Sequence, residues 1–172
     1  MGGAAMSGSR RLLIVGGIAL AIWGMSYGLW YAVFAEHQAL DNIGSSLAGS
    51  FAAAADRNPG LMDSSLQQYR EAKYVYERQV DVHGHWIGLA MVLIVLGIGF
   101  DRVNFAERFK MFLALGLLVG AVVFPLGVLL QTMSHGALPR AIAIAGSGFV
   151  IAGLVGCAAG VFAGRASDVR TI

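Results

Sequence analysis

The sequence predicts an all-α membrane protein: a four-helix transmembrane bundle, up-down-up-down, whose first two helices extend into an outward-projecting helical hairpin. Two observations predict it. The chain of 172 residues is 57% hydrophobic and only 13% charged, against the roughly 25% charged residues of a soluble domain. The apolar residues also fall into four runs without Asp, Glu, Lys, Arg or His: Leu12–Ala35, Trp86–Phe100, Met111–Ser134 and Ala141–Gly164. About 20 apolar residues cross a bilayer core of about 30 Å. Three runs reach that length, and the second reaches it if His83 and His85 sit at the interface. The expected spans are about 12–35, 84–101, 109–133 and 140–163, in a single integral membrane domain covering 1–172.

The first run follows Arg10 and Arg11, as a signal peptide would, but its apolar stretch is too long for an h-region. It reads as a retained helix. Orientation follows the Lys/Arg bias of the short flanks. One side carries Arg10, Arg11, Arg102, Arg108, Lys110, Arg165 and Arg170 close to helix ends. The other carries Arg57, Arg70, Lys73, Arg78 and Arg140, spread out and balanced by seven acids between Glu36 and Asp81. The expectation is a multi-pass protein of a cell membrane, the bacterial inner membrane, with both termini cytoplasmic.

Residues 36–83 read as a helical hairpin. Leu40, Ile43, Leu47 and Phe51 recur at helical spacing. Asp56-Arg57-Asn58-Pro59-Gly60 is a turn signal. A second helix then begins near Asp63, with Ser64 and Gln67 placed as a capping box. Met62, Leu66, Tyr69, Ala72, Tyr76 and Val80 form its apolar stripe. No breaker interrupts Phe34–Glu36 or Val80–Trp86, so both spans run straight into a hairpin projecting some 25–30 Å. Folding at residues 57–60 sets His37 level with Asp81 and His83. Farther on, Asn104 and Glu107 form an N-cap signature. Pro125 should kink the third span, and Pro139 suits the first turn of the fourth.

Every span carries glycines four apart: Gly24/Gly28, Gly84/Gly88, Gly116/Gly120 and Gly156/Gly160/Gly164. Such pairs let helix backbones approach closely. They predict a close-packed bundle, self-association, or docking to other membrane subunits through glycine grooves. The lipid bilayer is the first partner, and the basic residues form no patch suited to nucleic acid.

All four histidines, His37, His83, His85 and His135, fall at outer helix ends or in outer loops, among Glu36 and Asp81. Histidine is the commonest metal ligand and a frequent axial ligand of haem. It is also at home at a membrane interface, so a purely interfacial role explains the same residues. His83 and His85 are two apart, about 200° around a helix, and cannot then face one partner. Were the helix to begin at His85, irregular backbone would let both join one metal. A set of His37, His83 or His85, His135 and a carboxylate suits zinc, copper or non-haem iron. Haem b would prefer two histidines on facing helices, His37 and His85, with His135 as substitute. Asp81 and Glu36 would orient an imidazole.

The segment Asp81-Val82-His83-Gly84-His85-Trp86-Ile87-Gly88-Leu89 resembles the His-x-His-leading transmembrane helix of haem-copper oxidase catalytic subunits and of small four-helix membrane proteins related to them. The resemblance implies that His83 or His85 ligates a b-type haem. The second axial histidine of that family lies in a later span, where this chain has Ser147 and Phe149, so His37 or His135 would have to serve.

Other chemistries find no footing. The spans hold no charged residue in their middle thirds, as a proton or ion path through one copy would require. There is no phosphate-cradling glycine loop, no nucleophile elbow and no cysteine pair, since Cys157 is alone. Ser45, Ser46 and Ser50 read as ordinary helix residues. Trp30, Tyr31 and Trp86 read as interfacial anchors and Trp23 as bundle packing. The leading expectation is a redox-associated protein, not an enzyme by itself, binding b-haem or a metal near its outer face. The rival is a non-catalytic structural or accessory subunit. A sensor would need a partner to supply its output.

Overall fold

The computed structural model describes residues 6–169, with side chains described to Ala163. Arg170 therefore lies outside the described residues, as do the side chains of Arg165 and the surroundings of Gly164. The chain is all-helical: α1 (Gly8–Phe34), α2 (Glu36–Ala55), α3 (Pro59–Gly99), a 3-10 turn (Phe100–Arg102), α4 (Glu107–Leu130) and α5 (Ala137–Val169). Four helices are long and apolar enough to span a membrane, contributed by α1, α3, α4 and α5.

The longest element organises the rest. With 41 residues, α3 is about 60 Å long, twice the hydrocarbon thickness of about 30 Å. Its second half lies in the bundle and its first half forms the stalk. As expected, nothing interrupts it between Val80 and Trp86. Against it run α1 and then α2, antiparallel from one end to the other. Gly97 meets Leu13 and Ile14, Gly17 meets Ala90 and Ile94, and Gly24 meets Trp86 and Ile87. In the stalk the Tyr76 hydroxyl donates to Glu36 Oε1 at 3.3 Å, and Gly49 lies beside Ser65.

Several local expectations change. The α1–α2 side of this pair is distorted at Ala35 (φ −117°, ψ −34°), while the bonds from the Ala35 amide to Tyr31 and from the Ala39 amide to Ala35 carry the helical ladder through it. The second stalk helix begins at Pro59, four residues before Asp63, because Asn58 caps it by accepting from the Leu61 amide at 3.1 Å and Pro59 fits the first turn. Ser64 instead donates to the Leu61 carbonyl. The tip is a Schellman turn: the Arg57 amide donates to Ala54 and the Asn58 amide to Ala53, with Arg57 left-handed at φ 52°. On α2 the buried residues are Ser50 and Ala53, while Leu40 and Phe51 are exposed. The stalk helices pack on small residues, which permit closer approach than the predicted leucine stripe.

At the end opposite the stalk, the predicted Asn104/Glu107 cap is not made. Ala106 occupies the N-cap of α4, and Glu107 reaches across to accept from the Ser9 amide at 3.0 Å, capping α1 instead. Arg10 pairs with Asp101 at 2.8 Å beside it. A carboxylate at that helix N-terminus is also favoured by the helix dipole.

Helices α1, α3 and α4 share a core that includes Leu13, Leu20, Trp86, Leu93, Phe100 and Leu117. Among the described residues α5 packs on α4 and the 3-10 turn but on neither α1 nor α3, so it stands to one side of a three-helix core of α1, α3 and α4. The α4–α5 seam is built on glycines. A Cβ at Gly120 would stand 2.7 Å from the Gly146 carbonyl, and one at Gly146 would overlap the backbone of Phe124. The helix continues through buried Pro125 beside that contact. We expect Gly146→Leu to force this seam apart at a cost of about 1–3 kcal/mol. Gly148→Leu, where a Cβ meets nothing within 4 Å, should leave the unfolding midpoint in detergent unchanged. Equal midpoints for the two variants would contradict the seam.

Candidate functional site at the stalk base

Where the stalk enters the bundle, α3 carries His83 and His85 on different faces, as an unbroken helix requires. His83 turns toward α1: its Nδ1 lies 2.9 Å from the Gly24 carbonyl, and its ring occupies the space that a Cβ on Gly28 would fill. His85 turns toward α4, its ring edge-on to Phe124 at 4.8 Å between centroids. Its Nδ1 lies 2.6 Å from the Asp81 carbonyl one turn earlier. A carbonyl only accepts, so in each case Nδ1 carries the hydrogen, and in the neutral imidazole Nε2 holds the lone pair. Each ring is thus held by backbone.

The carboxylates expected to orient these rings are engaged elsewhere. Asp81 Oδ2 lies 3.4 Å from Arg78, whose guanidinium also stacks over Tyr74 at 5.2 Å. Glu36 accepts from Tyr76. Asp81 contributes to His85 through its main-chain oxygen.

The other two histidines stand farther out. His135 Nε2 is 3.5 Å from Glu71 and its ring is 5.1 Å from that of Tyr74. Those residues precede His85 by fourteen and eleven positions, about 16–21 Å along the helix axis. The pair is more than half exposed and contributes little to stability. His37 is exposed and follows Glu36, which is level with Tyr76. Its expected position beside Asp81 and His83 is therefore corrected outward by about 10 Å, because α2 meets α3 with Glu36 opposite Tyr76. The four histidines are spread along the stalk. Among the described residues no group of three or more His, Cys, Asp or Glu is close enough to hold a metal ion.

The chain matches no family model, no curated protein and no solved structure.

An aromatic cluster, not a carboxylate–histidine cluster, fills the stalk base. Trp86, read from sequence as an interfacial anchor, is buried at 1% exposure. Trp23 and Tyr27 meet it edge-on, at 6.0 and 5.2 Å between centroids, a favoured aromatic geometry. Trp23 packs as expected on one side while staying more than half exposed on the other. The Tyr27 hydroxyl donates to the Gln79 side-chain oxygen, and Tyr31 lies against Tyr76. Trp23, Tyr27, Trp30 and Tyr31 recur three and four residues apart along α1. What they meet depends on the antiparallel register, which sequence spacing does not contain.

The donor set for a cofactor is therefore narrow. His85 offers one pre-oriented nitrogen, and His83 is packed into α1. His85 and His83 face different helices, Phe124 of α4 and Gly24 of α1, so the two rings do not share a partner.

Proposed function

We propose that this chain is a non-catalytic subunit of a membrane assembly, whose four spans anchor a helical stalk and whose α3 docks a partner transmembrane helix. The observation that carries this reading is the pair Gly84 and Gly88. A Cβ on either meets nothing within 4 Å, although glycines at the same spacing elsewhere, Gly24/Gly28 and Gly156/Gly160, are filled from within the chain. Exposed Val80 and Met91 continue the same face. In a bilayer, such a strip of small residues lets another helix come close enough for dispersion contacts to hold it. The stalk supports the same reading, since it carries exposed Leu40, Phe51 and Leu61 well away from the bundle.

Gly116 also faces open space, while a Cβ on Gly156 would come within 2.6 Å of Leu113. Substitutions of Gly84 and Gly88 can therefore address assembly without touching the fold. In mild detergent, the wild-type assembly should have a mass above that of one chain. The double variant Gly84→Leu/Gly88→Leu should fall toward the single-chain mass with unchanged helicity. A wild-type protein of single-chain mass, or an unchanged assembly in the variant, would contradict the proposal.

A second reading rests on His85. A histidine whose Nδ1–H is bonded to a backbone carbonyl is arranged as metal-ligating histidines usually are, with tautomer and ring orientation fixed. His85 would hold a b-type haem, or a metal ion, by Nε2 near the outer face, and the group would supply one-electron transfer. The absorption spectrum of purified protein, oxidised and then reduced, tests it. The haem reading expects a Soret band that shifts on reduction and is lost in His85→Ala. His83→Ala should keep the band and instead lower thermal stability by about 1 kcal/mol, the scale of an interhelical hydrogen bond in a membrane. A spectrum without a Soret band, from folded protein supplied with haem, would leave the haem reading without support.

A further inference from the structure

Because α5 touches α4 and the 3-10 turn but not α3 among the described residues, a crevice of about 430 Å³ opens between α3 and α5 at the end opposite the stalk. Leu96, Gly99 and Phe100 form one wall, and Cys157, Ala158 and Val161 form the other. Its rims carry Val95 and Phe162, both well exposed, so the crevice faces the surrounding lipid. A Cβ on Gly99 would meet nothing within 4 Å, which agrees with an unfilled space. Arg102 is the one charged residue in the lining.

We propose that this crevice binds one anionic phospholipid, with an acyl chain between α3 and α5 and the phosphate at Arg102. The lining is apolar along its length and charged at one end, the pattern of a phospholipid rather than of a free phosphate or of an uncharged helix. Charge at this end of the bundle points the same way. Of the acids whose side chains are described at this end, Asp101 pairs with Arg10 and Glu107 accepts from the Ser9 amide. Arg11, Arg102 and Arg108 meanwhile stand exposed. An arginine presents a planar donor fork that matches phosphate oxygens in a bidentate contact. Its aliphatic stem can lie along the apolar wall while its head reaches the headgroup layer. Basic residues at this depth favour anionic over zwitterionic headgroups. The occupant would also fill the wedge that keeps α5 from touching α3.

The test is native mass spectrometry of the full chain in mild detergent, titrated with phosphatidylglycerol and, separately, with phosphatidylcholine of the same acyl chains. One phosphatidylglycerol should bind per chain, on the order of tenfold tighter than phosphatidylcholine, as one charge-assisted contact implies. Arg102→Gln should abolish that preference, and Arg102→Lys should restore part of it. Gly99→Leu and Ala158→Phe, which fill the crevice, should weaken both lipids, with circular dichroism confirming the helices. Equal binding of the two lipids, or preference surviving in Arg102→Gln, would overturn the headgroup assignment. Undiminished binding in both crevice variants, or a second copy of the chain displacing the lipid, would overturn the site.

Discussion

Inside a bilayer every backbone N–H and C=O must be paired within the protein, and α3 meets that constraint with one unbroken ladder that continues past the membrane surface. The other features of the molecule are positions along this rod. Its inner half gives the core Trp86, Ala90 and Leu93. Its outer half gives the stalk a straight support for α2. Because the rod does not break at the interface, His83 and His85 keep their angular separation. One is drawn to α1 and the other to α4. A helix that ended at the interface would have allowed the two imidazoles to converge.

The partner of α3 is less regular, and the contrast is instructive. Close approach along the α1–α3 seam relies on Gly17, Gly24 and Gly28, where side chains of α3 press against bare backbone. The distortion at Ala35 then marks the passage from membrane helix to stalk helix on that side alone. At the other end, the Glu107 cap on α1 and the Arg10–Asp101 pair fasten α1 to the start of α4 and the end of α3. The stalk is thus held at its base by an aromatic cluster and at its tip by a Schellman turn, with small residues between.

Much of this was legible in the sequence, for a physical reason. Lipid imposes length and absence of charge on each span, so the four runs mark the four helices. The Asp56–Gly60 turn is local chemistry and is equally readable. Capping proved harder. Asn104 and Glu107 have the spacing of a local cap, yet Glu107 is taken by a distant amide, and no spacing rule foresees a competitor from another helix. Of Leu40, Ile43, Leu47 and Phe51 on α2, only Ile43 and Leu47 are partly buried, because the inner face of this close-packed pair carries Ser50 and Ala53, with Ser65 on α3. The candidate site was legible only as residue types. Which histidines share a level depends on the register of α2 against α3, and a difference of about six residues in that register sets His37 about 10 Å farther out. The glycine pattern was visible but undivided: only the packing separates Gly24 and Gly28, used within the chain, from Gly84 and Gly88, left facing outward.

Because α3 stays helical through the stalk base, the two histidines are held apart and Gly84 and Gly88 share one outward strip. Amide hydrogen exchange across Arg78–Ala90 in detergent or nanodiscs measures this directly, since local opening exposes amides segment by segment. A continuous helix predicts that the amides from Asp81 to His85 exchange as slowly as those of the flanking turns on both sides. Rapid exchange confined to Asp81–His85 would mean that the helix opens there, that His83 and His85 are free to converge on one ion, and that the account is wrong at its foundation.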